Sequence, residues 1–338
     1  MPEKNRPTVA VLLTPEFRAK MLSDAALERL GGLAELRMTQ ASALTRADLP
    51  ALVADADIAL TGWGTPPLSA ELLAAHPRLR LVAHSAGSIR RLVPLDAIEN
   101  GRIRVTHSAH AIAAAVSEFV VAEILMHLRE PHRHDAGMKQ GEDWFVLRQR
   151  HLGRLLGALQ VGLVGAGYVG RAVIRLLRGF GCRIVVADPL LSPEGAAALG
   201  VTVVPLDELL RTSDVVSLHA PVIPETENMI GAREFALLKD GALFINTARS
   251  LIVDQAAQLD ALRRGRISAM LDVFATEPLP ADDPLRTLPN VVIAPHAAGH
   301  TRDTYHLQGS ACVDEIERFM RDEGLQCEVT APMLRTMA

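Results

Sequence analysis

Cysteine is scarce in this chain of 338 residues: Cys182, Cys312 and Cys327 form an odd set without a C-x-x-C pair. They give no disulfide framework and read as small buried or surface thiols of a reducing compartment. No block of Lys and Arg is present and the formal charge is −4, which argues against a nucleic-acid partner. The start, Met1 to Pro7, lacks the apolar run of a signal peptide, and no stretch reads as long and apolar enough to span a bilayer, so a cytoplasmic protein without a membrane partner is expected. No serine or cysteine lies in a nucleophile motif. Three histidines, His127, His132 and His134, crowd one segment, but no carboxylate or cysteine spacing completes a metal site there, and a solvated helix end is the expectation. What remains is an ordinary globular composition, 49% hydrophobic and 22% charged, at a length that usually divides into two domains.

The chain is organised around Val161-Gly-Leu-Val-Gly-Ala-Gly-Tyr-Val-Gly170. A short apolar run suits a buried strand, and the rhythm of Val169, Ala172, Val173, Leu176, Leu177 and Phe180 is helical. Between them, Gly165 permits a tight turn, Gly167 lets a pyrophosphate approach the backbone, and Gly170 lets the helix lie against the strand. A second apolar strand, Arg183 to Ala187, follows and ends on Asp188, as a dinucleotide-binding unit requires. An acid there accepts both ribose hydroxyls of an adenosine and repels a 2′-phosphate, so the pattern points to NAD rather than NADP.

Before this unit, strands are expected near Thr8 to Leu13, Ala34 to Met38, Ile58 to Leu60, Leu79 to Ala83 and Ile103 to Thr106, with helices between them. One of these starts at Ser23 and stops at Gly31-Gly32. This is a small open α/β sheet, whose loops Thr61 to Thr65 and His84 to Ser88 lie where ligands bind; amides around Ala86 and Gly87 could hold a carboxylate. Ala111 to Leu128 is the longest helical pattern and joins the first domain to the second. Trp144 and Phe145 in the polar segment beyond it are either local packing or an arm docking on another subunit. From Leu159 on, strands are expected at 160–164, 183–187, 201–204, 215–218, 242–245, 268–271 and 291–294, one mostly parallel sheet. Successive strand ends carry Asp188, His219-Ala-Pro221, Asn246-Thr-Ala-Arg249, Asp272 and Pro295-His296, which in such a sheet face one crevice.

Three residues there suit hydride transfer between a nicotinamide and a carbonyl. His296 is of the residue type that exchanges a proton near neutrality, Glu277 can bond its other ring nitrogen, and Arg249 offers a planar fork to a carboxylate.

With these motifs in hand, the chain resembles the D-isomer-specific 2-hydroxyacid dehydrogenases. The likeness runs through Val161 to Gly170, Asp188-Pro189, Ser213 to Pro221, Ile245 to Arg249, Leu271 to Phe274, Glu277 to Pro280 and Ala294 to Thr301. It implies an NAD-dependent enzyme interconverting a D-2-hydroxy acid and its 2-keto acid, with Arg249, Glu277 and His296 catalytic. It implies that Tyr168 and Val169 meet the pyrophosphate, Asp188 the ribose, and Pro221, Thr247 and Asp272 the nicotinamide side. Pro189, His219, Thr226, Ala248, His296 and Gly299 complete the implied cofactor contacts, while Ala86, Gly87 and Arg249 take the substrate. The implied architecture is two doubly wound parallel-sheet domains: a Rossmann NAD domain over 112–301, inserted in a flavodoxin-like substrate domain of 1–111 and 302–338. A cleft closing between the domains and a homodimer are implied as well. Departures occur at Gly87-Ser-Ile-Arg-Arg91, at Ser250, and in a spacer one residue short between Arg249 and Glu277. They leave the side chain of the substrate open, and with it the roles of Trp63, Arg90 and Arg91. An NAD-sensing corepressor-like protein and a formate-dehydrogenase-like enzyme are the rival readings.

Overall fold

Five short runs among residues 8–107 become strands β1 (Thr8–Val11), β2 (Glu35–Met38), β3 (Ile58–Thr61), β4 (Leu81–His84) and β5 (Arg104–His107). The structure is a computed structural model that describes residues 6–337. Met1 to Asn5, within the stretch read as lacking a leader, lie outside the described residues. The five strands pair in parallel in the order β2-β1-β3-β4-β5, the flavodoxin-like order. β1, β3 and β4 are buried throughout, as strands covered on both faces must be. Alternate residues serve two cores: Ala10, Leu12 and Val82 pack on one face, and Val9, Val11, Leu60 and Leu81 on the other. The second core is closed from the far end of the chain by Cys312, Val313 and Ile316 of the helix Arg302–Met320.

The second sheet contains β6 (Gln160–Val164), β7 (Arg183–Ala187), β8 (Thr202–Val203), β9 (Val215–Leu218), β10 (Leu243–Asn246), β11 (Ser268–Leu271) and β12 (Val291–Ile293). All pair in parallel, in the order β12-β11-β10-β9-β6-β7-β8. This is the doubly wound dinucleotide-binding order with one strand added. The described chain forms two compact units: residues up to Ile112 with those from His300 onward, and Ala113–Gly299.

Local expectations fail where short-range signals mislead. Gly31-Gly32 does not stop its helix, which runs Asp24–Leu33 and ends at Ala34, because the helix face carrying Ala26 and Leu30 is buried and outweighs glycine's cost. The polar segment after the long helix is itself helical, over Pro131–Lys139 and Trp144–Arg150. Glu130, in the left-handed region at φ 45°, separates the long helix from the first of these. That long helix, Ala109–Arg129, corrects the reading of apolar length: its most apolar window has a mean hydropathy of 1.8, enough to cross a bilayer by length and composition. The acids Glu118 and Glu123 hide this in a residue-by-residue reading, and half of the window is buried, as in a core helix.

Candidate active site

The glycine loop after β6 has the local geometry its sequence demands. Gly165 lies at φ +100°, and a Cβ there would meet the His219 carbonyl at 2.8 Å. At Gly170 a Cβ would come within 2.3 Å of the Gly165 oxygen, so the helix Tyr168–Leu177 approaches the turn as only glycine allows. Gly167, by contrast, faces open space. Its amide and that of Val169 donate to no described residue, which leaves a helix N-terminus able to cradle an anion. Asp188 stands at the end of β7 as expected, but its carboxylate also holds the loop: one oxygen accepts from the Ala166 amide at 2.7 Å and the other from Leu190 at 2.8 Å. Pro189 beside it is exposed.

The next strand ends bring buried polar atoms to the same sheet edge. His219 after β9 has a buried Nε2 without a described partner, and burial lowers its pKa to about 4, so the ring is neutral. The Thr226 hydroxyl donates to the Pro221 carbonyl at 2.6 Å and accepts from Ile223 at 2.9 Å, stapling its own loop. Thr247 after β10 keeps a buried Oγ1 without a partner among the described residues. Asn246, read from the sequence only as part of a strand end with no role of its own, shapes this turn by accepting from the Ala248 amide and donating to the Arg249 carbonyl, both at 3.0 Å. An Asn at a strand end followed by a turn was a readable signal for such a bond.

Arg249, Glu277 and His296 come together. Glu277 Oε2 lies 2.8 Å from His296 Nδ1, and Oε1 accepts from the Phe274 amide at 3.0 Å, so the carboxylate is fixed from both sides. Burial alone pushes this carboxyl up; the His296 bond, the Phe274 amide and the His296 and Arg249 charges outweigh burial and hold it below its usual value. Burial lowers the Arg249 pKa, opposed by the Glu277 charge; the residue as a whole is exposed and its guanidinium stays charged. Asp272, almost fully buried, was expected on the nicotinamide side. Its carboxylate accepts from the amides of Ala297 at 2.6 Å and Ala298 at 2.9 Å, directly after His296, which itself sits in the left-handed region at φ 53°. A cavity of about 640 Å³ opens on the His296–Glu277 pair, walled by Phe274, Pro278, Leu279, Ile293 and Pro295.

The loop after β4 belongs to the first unit. Amides of Ala86, Gly87 and Ser88 donate to no described residue, so three consecutive donors are available to an anion. Arg90 and Arg91 beyond them are exposed. Trp63 packs within its own unit, with ring centroids 5.4 Å from His300 and 5.9 Å from Tyr305. At the end of the long helix, His134 bonds the His151 carbonyl and His151 pairs with Glu130 at 2.8 Å.

Comparison with known proteins identifies the family of the chain. The D-isomer specific 2-hydroxyacid dehydrogenase, NAD binding domain family matches residues 121–298. A glyoxylate reductase of Korarchaeum cryptofilum is 37% identical over 274 residues, 80% of this chain and 82% of that protein. A D-3-phosphoglycerate dehydrogenase of Methanocaldococcus jannaschii is 31% identical over 294 residues, 86% of this chain but 55% of that protein, so the chain spans about half of this relative. A solved phosphoglycerate oxidoreductase from Rhizobium etli aligns with a TM-score of 0.81 at 28% identity, over 95% of this chain and 97% of that one.

Proposed function

Because this chain belongs to the D-isomer-specific 2-hydroxyacid dehydrogenases, a family of NAD-dependent oxidoreductases, we propose that it interconverts a D-2-hydroxy acid and its 2-keto acid through His296, Glu277 and Arg249. The residues present fit NAD: Gly167 leaves room where a side chain would fill the cradle, and Thr247 Oγ1 and His219 Nε2 wait unpartnered nearby in the sequence of strand ends. In this reading Gly165 to Gly170, Asp188, Pro189, His219, Pro221, Thr247 and Ala248 hold the cofactor, which supplies or takes up the hydride when bound.

The protein's own groups do the rest. In reduction, His296 gives a proton to the carbonyl oxygen as the alcohol forms; in oxidation it takes that proton back. Glu277, ionised because its neighbours favour the charged form, keeps the imidazole in one tautomer and offsets the charge of the imidazolium. Arg249 binds the substrate carboxylate with its fork and polarises the adjacent carbonyl. The free amides of Ala86 and Gly87 suit a carboxylate as well. The observation that carries this reading is the 2.8 Å His296–Glu277 pair with the Arg249 charge acting on the same carboxylate. A homodimer accompanies it, supported by the exposed apolar side chains of Trp144 and Phe145; sedimentation as a monomer would count against that part.

The test is NADH oxidation at neutral pH against glyoxylate, hydroxypyruvate, 3-phosphohydroxypyruvate, pyruvate, 2-ketoisocaproate and phenylpyruvate. Turnover of at least one is expected, falling about 10³-fold or more in His296→Ala while NADH still binds. Undiminished turnover in that variant would remove His296 from the reaction.

A further inference from the structure

The amides of Ala86, Gly87 and Ser88 are useful only if the loop that carries them is rigid. Its sequence, Ser-Ala-Gly-Ser-Ile-Arg, has no proline to stiffen it, and Arg91 just beyond lies in the left-handed region at φ 69°. The stiffness comes from below. Ser85 donates to the Thr61 carbonyl twice, from its amide at 2.8 Å and its hydroxyl at 2.9 Å. Ser108 donates from its amide to the Ala86 carbonyl at 3.0 Å, and its hydroxyl faces the carbonyls of His84 at 3.3 Å and Gln308 at 3.2 Å, between which its one proton is shared. Under the loop lies His84, the last residue of β4, buried among these groups. Its Nδ1 is 3.0 Å from the Thr61 hydroxyl on the neighbouring strand, and the ring also meets the Ser88 backbone. Burial brings its pKa to about 4, with the charge of His107, its register partner on β5, acting in the same direction.

A buried imidazole is a costly choice at a strand end where an aliphatic residue would pack as well. A neutral ring carries one donor and one acceptor on opposite edges, so it can accept from a hydroxyl on one strand while donating to the backbone of the loop. We propose that His84 is a positioning residue, which ties the Ala86–Ser88 amides to the Thr61 hydroxyl and thereby sets the geometry at which they receive the substrate carboxylate. This rests on the reading that those amides bind that carboxylate.

The experiment measures oxalate binding to the full-length enzyme–NADH complex by calorimetry, with KM and kcat on whichever 2-keto acid is turned over. His84→Phe keeps the ring volume and loses both bonds; Thr61→Val removes the hydroxyl alone. Each is expected to raise the oxalate Kd and the KM about tenfold, with kcat and the NADH Kd within threefold of the parent. The double variant should be no worse than His84→Phe, since both remove one link, and His84→Gln, which can accept and donate in turn, should recover most of the loss. Ala86→Pro, which deletes one amide, separates the two layers of the argument. If it weakens oxalate while His84→Phe and Thr61→Val do not, His84 has no positioning role but the amides do bind. If Ala86→Pro leaves oxalate binding intact, or the parent complex does not bind oxalate, the carboxylate reading falls and takes the proposal with it. A fall in kcat, NADH affinity and melting temperature together in His84→Phe, Thr61→Val and His84→Gln would reduce His84 to a packing residue.

Discussion

Asp272 illustrates how much one side chain can do without touching a reactant. Its two oxygens fasten the amides of Ala297 and Ala298, and the residue before them is His296, held at positive φ where a side chain prefers not to be. Asp272→Asn keeps the shape but turns one acceptor into a donor facing an amide. The expected result is a kcat lower by about 10²-fold and stability lower by about 2 kcal/mol, read from initial rates and urea denaturation. Unchanged kinetics would show that His296 keeps its place unaided. At this scale the sequence was readable where residue type announces chemistry: a His, a Glu and an Arg at strand ends were singled out and are brought together. It was silent where the partner is backbone. Nothing in Ala297-Ala298 or Phe274 says that their amides will take carboxylates, and Thr61, Ser85 and Ser108 are too common to point to a loop beneath them.

Among elements, the loop from Gly165 to Gly170 offers the sharpest contrast, because three glycines of one motif are needed for different reasons. A methyl at Gly165 meets a backbone carbonyl at a residue already held at φ +100°, and at Gly170 it strikes the Gly165 oxygen; at Gly167 it meets nothing. Gly165→Ala should therefore cost several kcal/mol of stability, on the order of 2–4, and abolish NADH binding, whereas Gly167→Ala should leave the melting temperature unchanged and weaken NADH at least tenfold. Equal effects on folding in both variants would refute the distinction. The strands themselves were legible almost to the residue because aliphatic runs bounded by polar ends have few other uses. The helices Pro131–Lys139 and Trp144–Arg150 were not: each is short and mostly exposed, so no long apolar rhythm marks it, and their limits depend on a left-handed Glu130 and an Asp143 cap.

For the molecule as a whole, three imidazoles set an acid limit. His84, His107 and His219 each have a pKa of about 4, lowered from 6.5 chiefly by burial. In the unfolded chain they take up protons near pH 6.5, so between pH 6.5 and 4 the unfolded state binds more protons and stability falls as the pH drops. Each group contributes roughly 3 kcal/mol that is present at neutrality and lost across this window, a large share of a typical total. The melting temperature should hold from pH 8 to 7 and fall steeply below 6; a flat profile down to pH 4.5 would contradict the buried, neutral state of these rings. The two parallel sheets were legible at this scale through the alternation of strands and helices. The return of residues 302–338 to the first sheet came from resemblance, with a helical pattern of Val313, Ile316, Phe319 and Met320 that suits it without dictating it.

That return has a consequence for how the chain is made. The helix Arg302–Met320 closes one face of the first sheet, and it lies so near Met21 that a Cβ on Gly309 would overlap the Met21 carbonyl. During synthesis the strands at Val9, Ile58 and Leu81 emerge about 220 to 290 residues ahead of this helix. Throughout that interval a nascent chain covers this sheet face only in part, through Met21, Leu22, Ala26 and Leu30, while the glycine-loop unit, contiguous in sequence, is free to fold as it leaves the ribosome. The first part of the protein to be translated is thus the last to be finished.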